Sequence, residues 1–181
     1  LTVAEAWQAY LEARKHKWSP RHLRDHEALA HAGGEPWKRG KGMTEPGPLF
    51  ALMPLRAAQL TGERLRVWMQ EESARRPTRA ALAFRQLRAF VNWMEGQRAY
   101  QGLIPDGAIS GTELRDEVPK VEAKEGDCLQ REQLPLWFDG VRKLANPVAS
   151  VYLQALLLTG ARRSEMLDLR WEDVDFRWLV I

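Results

Sequence analysis

The chain has 181 residues, 45% hydrophobic and 28% charged, which suits a soluble globular protein of one full domain or two small ones. No apolar run approaches the roughly 20 residues that a membrane helix requires, and no basic-then-apolar leader follows Leu1, so a cytoplasmic protein is expected. Cys128 is the single cysteine, which excludes an intrachain disulfide and a cysteine-based zinc site. The net charge is only +3, but residues 1–112 hold 17 basic and 11 acidic side chains while the remainder is acidic on balance. A basic front half is the electrostatic footprint of a nucleic-acid binder, although ordinary domains also carry such a surplus.

Thr2-Val3-Ala4-Glu5 is a capping box, and Val3, Ala6, Trp7, Tyr10 and Leu11 recur at helical spacing, so a first helix is expected to about Lys15. Ser19-Pro20 opens a second helix that runs to about His31 and closes at Gly33-Gly34. Arg21, His22 and Arg24 cluster at its start, where they suit either phosphate contact or a solvated helix end. His22 and His26 are i,i+4 neighbours, but Leu-Arg-Asp separates them and no third ligand is evident. Surface or DNA-facing histidines are therefore expected, and no metal. Residues from Gly33 to Pro54 carry repeated glycine and proline with Lys38, Arg39 and Lys41, and read as a long loop. Its patch Leu49–Met53 is expected to dip into the core or form a short turn.

Thr61 caps a third helix with Leu65, Trp68 and Met69 facing inward, ending near Ala74. A fourth runs from about Pro77 to Glu95 and stops at Gly96, with an apolar stripe of Ala80, Ala83, Phe84, Leu87, Val91 and Met94. Arg75, Arg76 and Arg79 crowd its start, and Arg85 and Arg88 lie further along. A helix entering the major groove by its first turn presents side chains to bases and N–H groups to phosphates, so these arginines are the leading DNA contacts. A solvated basic helix start is the plainer alternative.

From Ile104 to Asp127 the pattern dissolves into scattered Pro, Gly and charges and reads as an interdomain linker in which Lys120 is a further phosphate-contact candidate. The division expected is therefore 1–104, 105–127 and 128–181. In the last part a helix is expected from Gln130 to Leu144, with Leu134, Trp137, Phe138, Val141 and Leu144 inward. Asn146-Pro147 opens another whose Val148, Val151, Tyr152, Ala155, Leu156 and Leu158 imply burial. Gly160 breaks it, a short helix and an acidic turn follow, and Trp178–Ile181 reads as a strand. An apolar strand without a partner is a poor end for a protein, so a fragment is expected.

The turn itself reads Thr159-Gly160-Ala161-Arg162-Arg163-Ser164-Glu165, then Leu167, Leu169, Trp171, Asp173, Val174 and Asp175. A glycine ends one helix in the left-handed region, and an arginine opens the next beside N–H groups that favour an anion. Glu165 falls three residues on, on the same side, where it can hold the guanidinium; a solvated surface pair is the more usual outcome of that spacing. The pattern TG-x-R-x-x-E followed by L-x-L-x-W-x-D-[VI]-D resembles the first catalytic box of tyrosine recombinases, especially the phage integrases. The front domain's size and helical layout resemble that family's core-binding domain.

The resemblance implies a mainly α chain: a four-helix, SAM-like core-binding domain, then the first helices of an α+β tyrosine-recombinase catalytic domain cut at its first strand. It implies double-stranded DNA as partner, self-association on DNA in the full-length protein, and no cofactor or small-molecule substrate. Such enzymes cut and rejoin DNA through a 3′-phosphotyrosyl intermediate, with arginines stabilising the phosphorane. Only the first arginine and its acid partner carry over, to Arg162 and Glu165. The lysine, His-x-x-Arg and tyrosine boxes would follow Ile181, and Tyr10, Tyr100 and Tyr152 match no nucleophile motif. The parent is thus expected to be a recombinase and these residues alone inactive. A non-catalytic helical DNA-binding or regulatory module is the alternative.

Overall fold

The computed structural model describes residues 1–120, 126, 128–175 and 177–178. Two compact units make up the chain, Leu1–Glu122 and Ala123–Ile181. The first is built on four main helices: α1 (Val3–Arg14), α2 (Pro20–Ala30), α3 (Gly62–Arg75) and α4 (Pro77–Glu95). Local chemistry sets their ends. The Thr2 hydroxyl accepts the Glu5 N–H at 3.2 Å while the Glu5 carboxylate accepts the Thr2 N–H at 2.7 Å. Ser19 and Thr61 cap α2 and α3, and proline occupies the first turns of α2 and α4. The expected inward faces of α1, α3 and α4 are buried together, with Trp7, Phe90 and Met94 at the centre.

The long connection from α2 to α3 is irregular but built in. Leu49, Leu52 and Met53 are buried, and Phe50–Leu52 forms a 3-10 turn. The N–H groups of Val3 and Ala4, which no helical carbonyl reaches, donate to Leu55 O at 2.8 Å and Met53 O at 3.0 Å.

A linker is expected over 105–127, yet Ala108 and Leu114 within it, and Ile104 just before it, are buried in the first unit's core. A short helix, α5 (Thr112–Asp116), packs against α3. Ser73 Oγ donates to the Glu117 carbonyl at 3.2 Å, and Gln70 Nε2 to its carboxylate at 2.6 Å. Turns bring these apolar residues inward one at a time, so no helical period reveals them. His26 was expected at the surface and is instead 1% exposed. Its ring stacks on Trp18 at 4.1 Å, centroid to centroid, and its Nδ1 donates to His22 O at 2.9 Å. That bond places the proton on Nδ1.

In the second unit α6 spans Leu134–Arg142, α7 Pro147–Thr159 and α8 Arg163–Asp168. α6 starts later than the expected Gln130, because Pro135 suits only a first turn; a 3-10 turn at Arg131–Gln133 precedes it. Asn146 Oδ1 accepts the N–H groups of Val148 and Ala149 and starts α7. The burial expected of α7 does not hold. Val148, Val151 and Leu158 are 75%, 65% and 74% exposed, and Leu144 is exposed as well. Among the described residues of this unit only Val141 and Ser150 are buried. No strand forms among the described residues. Trp178 lies in an exposed turn, and the rest of the strand expected over Trp178–Ile181 falls outside the described residues.

Burial lowers the His26 pKa from its ordinary 6.5, against the smaller opposing effects of the His22 carbonyl, the Gln86 side chain and Asp25. The unfolded chain therefore takes up this proton first as pH falls. The stability contributed by neutral His26 is complete above pH 6.5 and is lost as pH falls towards the lower folded value. Urea midpoints measured across this window should drop on acidification, and His26→Phe should flatten that part of the profile.

Candidate functional site

The turn between α7 and α8 is set by backbone conformation. Gly160 has φ +67° and ψ 11°, a left-handed geometry that costs a side-chain-bearing residue strain. Its N–H reaches Leu156 O at 3.0 Å. Thr159 Oγ1 donates back to Ala155 O at 2.7 Å and accepts the Ala161 N–H at 3.2 Å. Tyr152, expected in the core, instead donates its hydroxyl to Arg163 O at 3.2 Å and ties α7 to the new helix.

Arg162 is the cap of α8 rather than a member of its first turn, with φ −68° and ψ 148°. Glu165 Oε2 accepts the Arg162 backbone N–H at 2.8 Å, while Oε1 accepts from the guanidinium Nη1, also at 2.8 Å. One carboxylate therefore caps the helix and orients the arginine. The backbone N–H, then the guanidinium, hold the Glu165 carboxyl below the usual carboxylate range. The Arg162 side chain is 84% exposed, so its remaining N–H donors face outward. Such a guanidinium can engage a phosphate oxygen without first breaking its pair with Glu165.

The expected DNA contacts in the first unit differ in their surroundings. Arg21, Arg24, Arg79, Arg85 and Lys120 are exposed. Arg75 is also exposed and lies 3.8 Å from Glu45. Arg79 and Arg85 are six positions apart, roughly 240° around the helix axis, so they do not form one row. Arg76 does not fit the role of a phosphate contact. Its side chain is 15% exposed, forks onto Glu72, itself 8% exposed, and donates from Nη1 to Pro46 O at 2.6 Å. The hydrogen bonds to Glu72 raise its pKa further. Sequence spacing could not separate this arginine from its neighbours, because only the fold brings Pro46 to it. Among the described residues no group of His, Cys, Asp and Glu is arranged to hold a metal.

Residues 2–116 match the model of the phage integrase core-binding domain. The chain belongs to the phage integrase family. It is 46% identical over 186 residues to the prophage integrase IntF of Escherichia coli (strain K12). That alignment covers 98% of this chain and 40% of the relative, so the chain spans two fifths of the length of the curated integrase it matches. No solved structure matches it. The core-binding match takes in α5, in keeping with the packing of residues 104–118 in the first unit.

Removing one partner of a buried ion pair strands the other, at a cost of about 3 kcal/mol. Arg76→Ala should therefore lower the urea-unfolding free energy of the first unit by about that amount, whereas exposed Arg79→Ala should change it by less than about 0.5 kcal/mol.

Proposed function

We propose that the first unit binds duplex DNA at the site of strand exchange and that residues from 128 onward begin the catalytic domain of a site-specific recombinase. The observation that carries this reading is the outward-facing Arg162, held by Glu165, downstream of a region that matches the integrase core-binding model. Phosphate contacts from Arg21, Arg24, Arg75, Arg79, Arg85 and Lys120 would position the duplex without reading its sequence. Arg162 would act on the scissile phosphate. Charge builds up on the phosphoryl oxygens as attacking and leaving oxygens exchange, and a pre-oriented guanidinium stabilises that state more than the ground state. Glu165 is a positioning residue: it aims the guanidinium and touches no DNA.

The nucleophile in this reading is a tyrosine outside these residues. Tyr10 is 3% exposed within the aromatic core, Tyr100 packs on Trp93, and the Tyr152 hydroxyl is bonded to Arg163. This chain by itself is accordingly a DNA binder that neither cuts nor rejoins strands. The full-length parent would assemble with further copies on DNA in the cytoplasm. Among the described residues no helix is long and apolar enough to cross a membrane.

Binding of a labelled duplex should weaken steeply with salt. Arg79→Ala with Arg85→Ala should reduce the slope of log affinity against log salt by roughly two, one unit for each phosphate contact. In the full-length protein Arg162→Ala should retain DNA binding and lose most strand cleavage, with Glu165→Ala milder. Cleavage at the unaltered rate by the Arg162→Ala protein would remove Arg162 from the chemistry and favour a non-catalytic DNA-binding module.

A further inference from the structure

The connection between α2 and α3 carries a small hairpin that the integrase reading leaves unused. Pro36 and Met43 form an antiparallel bridge. Gly34 N–H donates to Thr44 O at 2.8 Å, Thr44 N–H to Glu35 O at 2.7 Å, and Trp37 N–H to Gly42 O at 3.0 Å. The Thr44 hydroxyl accepts the Glu35 N–H at 3.0 Å and closes the base. The indole of Trp37 lies flat against Gly42: a Cβ there would fall 2.7 Å from the ring, and the backbone has φ +151°. Glycine at 42 is thus what lets the indole brace the tip. Trp37 still keeps 52% of its surface exposed, and Met43 beside it keeps 56%.

The tip carries Lys38, Arg39 and Lys41, all exposed, and none forms an ion pair among the described residues. The two nearby carboxylates sit at the base and have partners of their own. Glu35 contacts His31 at 3.4 Å, and Glu45 contacts Arg75 at 3.8 Å. Three positive charges therefore project without local compensation. The base is also anchored, since Arg76 grips Pro46 O and Gly47 N–H donates to His31 O at 2.7 Å. Through Glu45 and Arg75 the hairpin emerges next to the corner between α3 and α4, where the exposed Arg79 also lies. A charged tip on a fixed base loses less conformational freedom on binding than a slack loop of the same composition.

We propose that residues 35–44 form a second DNA-contacting arm, in which Lys38, Arg39 and Lys41 engage backbone phosphates and the open face of Trp37 lies against the sugar edge. The proposal rests on the DNA-binding reading and extends it from the helices to this hairpin. Phosphate contacts of this kind add affinity and salt dependence without sequence preference.

The test uses the intact chain and a fluorescein-labelled duplex of random sequence, with anisotropy read across a salt series. Replacing Lys38, Arg39 and Lys41 together by alanine should weaken binding and lower the salt slope by roughly two to three, with the thermal melt unchanged. A single reversal, Arg39→Glu, should act in the same direction. Gly42→Ala, which displaces the indole and leaves the charge alone, should weaken binding with little change of slope. Failure of the unaltered chain to bind at low salt would overturn the DNA reading and the arm with it. Binding that loses slope in the Arg79/Arg85 double variant but keeps it in the hairpin triple variant would overturn the arm alone.

Discussion

One guanidinium holds the irregular half of the first unit to the helical half. Arg76 stands at the corner of α3 and α4, forks onto Glu72 one turn back, and donates to the carbonyl of Pro46. From that point the connecting chain is fixed by backbone bonds to its neighbours. Leu49 donates to Leu29 O near the end of α2, Gly47 to the carbonyl of His31 just beyond it, and the Trp68 indole to Pro48 O at 2.7 Å. Met53 and Leu55 then accept from the first turn of α1. A segment without helix or sheet of its own thus places its polar backbone groups while burying Leu49, Leu52 and Met53. The connection acts as a layer of the domain, and both the hairpin and the start of α4 take their positions from it.

What the sequence made legible follows from the range of the interactions concerned. Caps at Thr2, Ser19, Thr61 and Asn146 act within three residues, and each is found where the pattern puts it. The faces of α1, α3 and α4 repeat at the helical period and are buried as that period requires. The left-handed turn at Gly160 was readable for the same reason. Ile104, Ala108 and Leu114 were not, because each reaches the core from a separate turn. The burial of His26 is not legible locally, because nothing near it in sequence shows that Trp18 will lie against its ring. For α7, apolar composition indicates a preference for burial without saying which segment provides the cover. Among the described residues Val148, Val151 and Leu158 remain open.

Two arginine–glutamate pairs mark the limit of reading a site from spacing. Glu72–Arg76 and Arg162–Glu165 are separated by four and three residues, and both bring a guanidinium within hydrogen-bonding reach of a carboxylate. In sequence either could be a phosphate clamp. Burial separates them. The first pair is nearly closed off from water, at 15% and 8% exposure, and adds a backbone carbonyl to its partners. Its guanidinium has little left to offer a ligand, and its contribution is to the fold. The second pair stands at 84% and 52% exposure, where an ion pair contributes little to stability.

The geometry of that exposed pair is nonetheless tightly specified. Gly160 turns the chain, Thr159 and Tyr152 brace the two sides of the turn, and Glu165 holds both the backbone and the side chain of Arg162. A long side chain at a surface normally samples many rotamers, and fixing it costs conformational entropy. Here the same carboxylate that caps α8 also fixes the guanidinium, so ordering the arginine is coupled to starting the helix. A cation oriented in advance, with donors still facing outward, interacts with an arriving anion at a smaller ordering cost than a free arginine would. Local order combined with high exposure adds little to the fold and more to an encounter with something outside it. That contrast, which the spacing of the residues alone does not reveal, separates Arg162 from Arg76.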